Sequence, residues 1–347
     1  MGTEGIDVVM LSVGSDLPYF TGYQAMPSER LTMLVVDRAS DPTLFIPELE
    51  APRVAPGPYE IVSWGETENS VSLVAGRAGG GRSVAVGDQT RSSFLVGLQA
   101  ELPDSDWTVA STLTGVLRIR KEPGEIAFLR EAGLAADRVL SRVPDEVRFS
   151  GRTEREIAKD FVDMTLEEGH EVAAHAIVAS GANAASPHHE PGDRVVAEGD
   201  LVVCDFGGRI GGYYSDVSRT FSVGQPSSEQ ADVHQVVAAA NAAGRAAVRP
   251  GVACSEIDRA ARAVIVDAGY GDFFIHRTGH GIGLDVHEDP YIVEGNETTL
   301  ETGMCFSVEP GIYMPDRLGL RIEDIVTAVD DGVEELNRAE RVLVEVD

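Results

Sequence analysis

"LVVCDFGGRIGGYYSDVSRTF", residues 201–221, opens on four apolar residues, passes two glycine pairs and returns through a mixed polar and apolar stretch. Leu201 to Cys204 reads as a buried strand. Gly207, Gly208, Gly211 and Gly212 supply turn conformations, and "YYSDVSRTF" reads as the return strand, so the segment is predicted to be a β-hairpin. Asp205 and Asp216 stand eleven positions apart. A loop centred on Ile210 and Gly211 would set them directly opposite each other, with side chains about 5 Å apart on one face. Like charges so opposed destabilise a sheet, and a carboxylate that follows four apolar residues is costly without a partner. Solvation does not answer that cost in a central strand, whereas a bound metal ion does.

"CFSVEPGIYMPDRLGLRIEDIV", residues 305–326, repeats the pattern. Glu309 and Glu323 are fourteen apart, and a turn centred on Asp316 opposes them among apolar strand residues. Arg321 falls on the same strand face as Glu323, so an ion pair competes with a metal for that carboxylate, but Arg321 cannot neutralise both hairpins. Four buried carboxylates exceed the charge of one divalent ion, and two ions would match them. Carboxylate oxygens with one imidazole favour manganese, cobalt or zinc over thiolate-seeking metals. The imidazole is supplied by "HRTGHGIGLDVHEDP", residues 276–290, which holds three of the chain's eight histidines. Of His276, His280 and His287, only His280 is flanked by glycines on both sides, which gives it the backbone freedom to approach an ion.

Working outward, residues 1–120 read as an α/β domain, with strands at 7–11, 31–37, 43–48 and 83–88 and a helix near 91–102. The period changes near residue 120, so a second domain is expected over 121–347. There the order of elements repeats. Helices at 124–142 and 154–168, the latter opened by a Thr153-to-Glu156 capping box, precede a strand at 173–180 and the first hairpin. Helices at 228–248 and 255–268 precede the strand entering the 276–290 motif and the second hairpin. A pseudo-two-fold arrangement would follow if the halves pack alike.

The formal net charge of −29 disfavours nucleic acid and anionic membranes as partners, because either needs a basic surface. The only lysines are Lys121 and Lys159. No apolar run is long enough to span a bilayer and no signal-peptide layout opens the sequence, so a cytoplasmic protein is expected. Cys204, Cys254 and Cys305 have no CxxC spacing and read as small core residues.

Taken together, Asp205, Asp216, His280, Glu309 and Glu323, set in "DFGG", "SDVSRT", "GHGIGLDVHE", "SVEPGIY" and "LRIED", resemble the five metal ligands of the pita-bread metallopeptidases: prolidase, aminopeptidase P and, more distantly, methionine aminopeptidase. The match runs from about residue 120 to the end. The first 120 residues, with "SDLPYFTGY" at 15–23, resemble the creatinase-type N-terminal domain. The resemblance implies an α/β protein with a pita-bread catalytic domain and two divalent ions, manganese foremost. It makes Asp216 and Glu323 bridging ligands, gives Asp205 to one ion, and gives His280 and Glu309 to the other. Glu309 is also implied as the proton shuttle for the attacking water, His287 as the substrate-facing histidine that stabilises the tetrahedral intermediate, and His188 as a histidine lining the pocket. His189 is read as its neighbour without a role and His276 as a supporting residue. A homodimer is implied as well.

Such a site positions the carbonyl without needing an amide hydrogen after the cut, which an Xaa-Pro bond lacks. Short proline-containing peptides are therefore the expected substrates. An Xaa-Pro dipeptidase must hold a carboxylate just beyond the proline, and an Xaa-Pro aminopeptidase must leave that path open. Arg321 resembles an arginine able to contact that carboxylate. Some microbial prolidases carry a further arginine four residues after the substrate-facing histidine, and here that place is Tyr291. Dipeptidase is the first reading and aminopeptidase the alternative; Asp16 matches an acidic position that in aminopeptidase P reaches a neighbouring subunit. A creatinase-like metal-free hydrolase, or a binding protein on the same fold, would lack metal ligands, and none is lost here.

Overall fold

In the computed structural model, which describes residues 1–2 and 4–347, the first hairpin is built from Leu201–Ile210, Tyr213–Tyr214 and Val217–Val223. Its turn lies at Gly211 and Gly212, with φ of 58° and 89°, one position later than the spacing suggested. Positive φ at both central residues is what a type I′ two-residue hairpin turn demands, and glycine meets it without steric cost. The shift changes the register: Asp205 pairs with Ser218 and Phe206 with Val217. Asp205 and Asp216 are therefore diagonal neighbours, not directly opposed residues.

The second hairpin turns about Asp316, whose φ is 58°. Gly311 pairs with Arg321 and Met314 with Leu318 near the turn, and Val308 pairs with Asp324 and Cys305 with Thr327 in the same register further out. Glu309 and Glu323 sit between these two ladders. Pro310, which has no N–H to give, accompanies the break.

Each hairpin belongs to a sheet. In one, the strands run in the order Val344–Val346, Val217–Val223, Leu201–Ile210, Val172–Ser180. In the other they run Glu288–Ile292, Gly279–Gly281, Cys305–Val308, Asp324–Val329, Gly332–Glu335. The two meet at a bridge between Ser218 and Glu323. Arg219 fastens the junction, donating from Nη1 to the Glu323 carbonyl at 2.7 Å and from Nη2 to Asp324 at 2.7 Å. Helices Pro123–Glu146 and Glu154–Glu167 bury Val139, Val143, Ile157 and Phe161 against the first sheet. Ser228–Ala247 and Cys254–Asp267 cover the second half, with Val237, Ile257 and Ile265 buried. The helix pair, strand and hairpin thus occur twice. All three cysteines are free and buried.

Clustering by contacts divides the chain into Met1–Arg118 and Ile119–Asp347. The first unit holds a six-stranded sheet ordered Glu60–Trp64, Ser40–Pro47, Met33–Asp37, Val8–Ser12, Ser83–Val86, Asp106–Val109. Val8 and Met10 enter one core cluster while Val9 and Leu11 enter another, the two-residue alternation of a strand covered on both faces. Asp16 accepts from Arg118 Nη1 at 2.8 Å and from Thr114 Oγ1 at 2.9 Å, so within this unit it ties its short helix to Ser111–Arg118. Among the described residues, no helix is long and apolar enough to cross a membrane.

Candidate metal centre

Where the two sheets meet, a cleft of about 840 Å³ is floored by Asp205, Asp216, His280, Glu309 and Glu323. His280 lies at its centre. Its Nδ1 is 3.0 Å from the Gly281 carbonyl, which can only accept, so the proton sits on Nδ1 and the Nε2 lone pair faces the cleft. Around Nε2 lie Glu309 Oε1 at 3.4 Å, Asp216 Oδ2 at 3.6 Å and Glu323 Oε1 at 3.9 Å. Gly279 and Gly281 make this approach possible by having no Cβ. One added there would lie 1.8 Å from the Ser307 carbonyl or 2.2 Å from that of Asp289. These glycines serve close strand packing, not the backbone freedom their sequence context suggested.

The four carboxylates do not share one environment. Asp205 receives Arg321 Nη2 at 2.5 Å, and His175 Nε2 lies 3.1 Å from both Asp205 Oδ1 and Asp216 Oδ1. Burial alone would raise Asp205, but these two cations outweigh it and hold the carboxyl below the ordinary range. Burial lowers the basicity of His175, and the paired aspartates reverse that and raise it well above the usual histidine value. Glu309 and Glu323 have no cation as close: Arg321 favours their charged forms but comes no nearer than 4.0 Å to Glu323. Burial, with Asp216 and Asp205 nearby, pushes Glu309 up to about 8, and burial with Asp216 and Glu309 raises Glu323 well above the usual carboxylate range. Glu323 Oε2 accepts from Ser218 Oγ at 2.7 Å, while the buried Oε1 has no hydrogen-bond partner among the described residues.

Among the described residues, three triads have ligand atoms within 4.8 Å of one another: His280 with Glu309 and Glu323, His175 with Asp205 and Asp216, and Asp216 with His280 and His287. All five residues singled out in the sequence are therefore in one cleft. The His287 ring is 4.1 Å from that of His280 and largely exposed. His188 lines the cleft from an exposed position in the 181–192 segment. His189, without a role in the sequence reading, bonds through Nε2 to Glu154 at 2.7 Å. His276 is held between the Arg277 carbonyl at 2.6 Å and the Tyr313 hydroxyl at 2.9 Å.

Two expectations change. Arg321 is 2 % exposed, and its nitrogens go to Asp205, to Ser218 Oγ at 2.8 Å, and to the Pro187 carbonyl and Tyr313 hydroxyl. It braces the floor of the cleft from the opposite hairpin instead of chiefly pairing with Glu323, whose nearest approach is 4.0 Å. Tyr291 is not among the cleft-lining residues; it lies half-buried beneath Arg277, which does line the cleft.

Sequence reasoning passed over His175, Ser218 and Ser307. His175 stands in the predicted strand, and pairing with Gly207 puts it beside both aspartates. The signal was a lone imidazole within an apolar strand. Ser307 Oγ accepts from the His280 amide at 3.0 Å and donates to Glu309 Oε1 at 3.2 Å, so it orients both.

The family model of metallopeptidase family M24 matches residues 127–330, and that of the creatinase/prolidase N-terminal domain matches residues 1–120. The chain belongs to the M24 metallopeptidases, with the creatinase-type domain in front. It is 41 % identical over 349 residues to a probable dipeptidase PepE of Mycobacterium bovis, covering 99 % of this chain and 92 % of that one. It is 37 % identical to an Xaa-Pro dipeptidase of Lactobacillus delbrueckii, covering 95 % and 92 % respectively. The structure of a prolidase from Thermococcus sibiricus superposes with a TM-score of 0.95 at 34 % identity, covering 99 % of this chain and 96 % of that one. The family implies a divalent metal, and the donors fit one: carboxylate oxygens, an imidazole lone pair facing them, and a buried carboxylate oxygen without a partner.

Proposed function

We propose that the chain is a dinuclear-metal Xaa-Pro dipeptidase, with manganese as its metal and Asp205, Asp216, His280, Glu309 and Glu323 as the ligands. The observation that carries this reading is that Glu309 and the buried Glu323, whose Oε1 has no hydrogen-bond partner among the described residues, face the free lone pair of His280. Divalent ions bound there would supply an acidified water and a polarised scissile carbonyl.

The chain's own residues do the rest. Glu309, oriented by the Ser307 hydroxyl, accepts a proton from the attacking water at its carboxylate and returns it to the proline nitrogen as the carbon–nitrogen bond breaks. Water is thereby divided between the released amino acid's carboxylate and the proline amine. His287 and His188, on the walls of the cleft, can donate to the carbonyl oxygen as negative charge grows on it. None of these contacts uses an N–H on the residue after the cut, which is why an imide is acceptable.

The dipeptidase reading is supported by the names of the relatives. Xaa-Pro aminopeptidase activity is the alternative, and substrate length separates the two. Metal-loaded protein offered Ala-Pro and Ala-Pro-Ala should release alanine from the dipeptide at least about tenfold more efficiently, the loss expected when a charged terminal contact is missing. Preferential cleavage of the tripeptide would replace this reading with the aminopeptidase one.

A further inference from the structure

Two arginines line the cleft, and only one has free donors. Arg321 has its nitrogens bonded within the floor. Arg277 is half-buried, and its guanidinium has no hydrogen-bond or ion-pair partner among the described residues. Its Cζ lies 4.4 Å from the centroid of the Tyr291 ring. An aromatic face holds a guanidinium through its π cloud and consumes none of its N–H groups, so the planar fork remains available for bidentate contact with a carboxylate.

The two residues come together because Gly279 pairs with Ile292, with the Thr278 amide bonding to the Ile292 carbonyl at 2.9 Å. Arg277, two residues before the Gly279–Gly281 strand, is thereby brought beside Tyr291. Arg277 lines the cleft together with His287 and His188. A dipeptide brings a C-terminal carboxylate into a cleft already lined by four acidic side chains. That end of the substrate needs a cation that is not already neutralised.

On the reading that this is a dipeptidase, we propose that Arg277, braced on Tyr291, receives the free carboxylate of the substrate's C-terminal residue and sets the preference for dipeptides. The role is specificity, not bond-breaking. Position 291 therefore contributes a platform, and the cation comes from the segment that leads into the neighbouring strand.

The test compares steady-state kinetics of wild type, Arg277→Met and Arg277→Lys, all manganese-loaded, on Ala-Pro and on its C-terminal amide, Ala-prolinamide. Arg277→Met should raise KM for Ala-Pro about 10- to 100-fold with kcat within about threefold, because a charge-assisted contact made in the ground state is lost. KM for the amide should stay within about twofold of wild type, since the amide never engaged the charge. Arg277→Lys should recover part of the affinity, as it keeps the charge and loses the fork. Equal losses on both substrates, or a KM for Ala-Pro in Arg277→Met within about twofold of wild type, would overturn the assignment while wild-type turnover upholds the dipeptidase reading. Wild type that hydrolyses neither compound would overturn that reading, and this assignment with it.

Discussion

Glu309 is the side chain to which the proposed mechanism gives two roles. It sits in the break between two ladders, is oriented by Ser307, and has burial and neighbouring carboxylates raising its proton affinity to about 8. A carboxylate in that position can bind a cation or move a proton, and the second role is what a hydrolase needs from it. Glu309→Gln keeps the shape and removes the basic oxygen. Its kcat on Ala-Pro should fall about 10³-fold, within the range for loss of a general base. A kcat within a few-fold of wild type would remove Glu309 from proton transfer. The identity of the candidate ligands was legible at this scale because each carboxylate follows apolar strand residues, where charge demands a reason. His175 left only the signal of a lone imidazole in a strand, and its role emerges when pairing with Gly207 brings it to the two aspartates.

Among the elements, the hairpins could be read from glycine and parity, with an error of one position in the first turn. That error was enough to exchange direct opposition for a diagonal. The shortest or most exposed strands, Glu60–Trp64, Asp106–Val109, Gly332–Glu335 and Val344–Val346, escaped notice. Val344–Val346 pairs with residues 221–223, and no local pattern encodes a partner so distant in sequence. A second device also depends on distant residues. Fully buried Glu154, in the first turn of its helix, accepts from the Ser180 amide and hydroxyl, Asn183, His189 and the Gly192 amide at 2.7–3.2 Å. It clamps the segment that carries His188 to the cleft. Glu154→Ala strands five donors, so it should cost about 3 kcal/mol and roughly 6–12 °C in Tm. KM for Ala-Pro should rise with it, and unchanged stability with unchanged KM would show that the clamp is dispensable.

For the whole molecule, the recurrence of helix pair, strand and hairpin was visible as element order, and the sheets that meet at Ser218 and Glu323 are its physical expression. The joining itself was not visible, since it rests on Arg219 reaching across to the other hairpin. Stability should carry a histidine signature apart from the cleft. Burial, aided by Arg219, pushes His234 down to about 4. Its folded value lies below the unfolded one of about 6.5, so its contribution is complete above pH 6.5 and is lost progressively as pH falls toward 4. That contribution is at most about 3 kcal/mol. In denaturant unfolding at pH 7 and pH 4.5, His234→Leu should lose less stability between the two than wild type does, by about 2 kcal/mol. An identical pH dependence would contradict a neutral buried imidazole.

The central claim concerns metal, and one titration tests it most directly. Chelator-stripped protein is assayed on Ala-Pro as manganese is added in steps while bound metal per chain is counted. No turnover is expected without metal, with activity rising until two ions are bound per chain. Full hydrolysis by the stripped chain, or saturation with manganese that produces none, would contradict it.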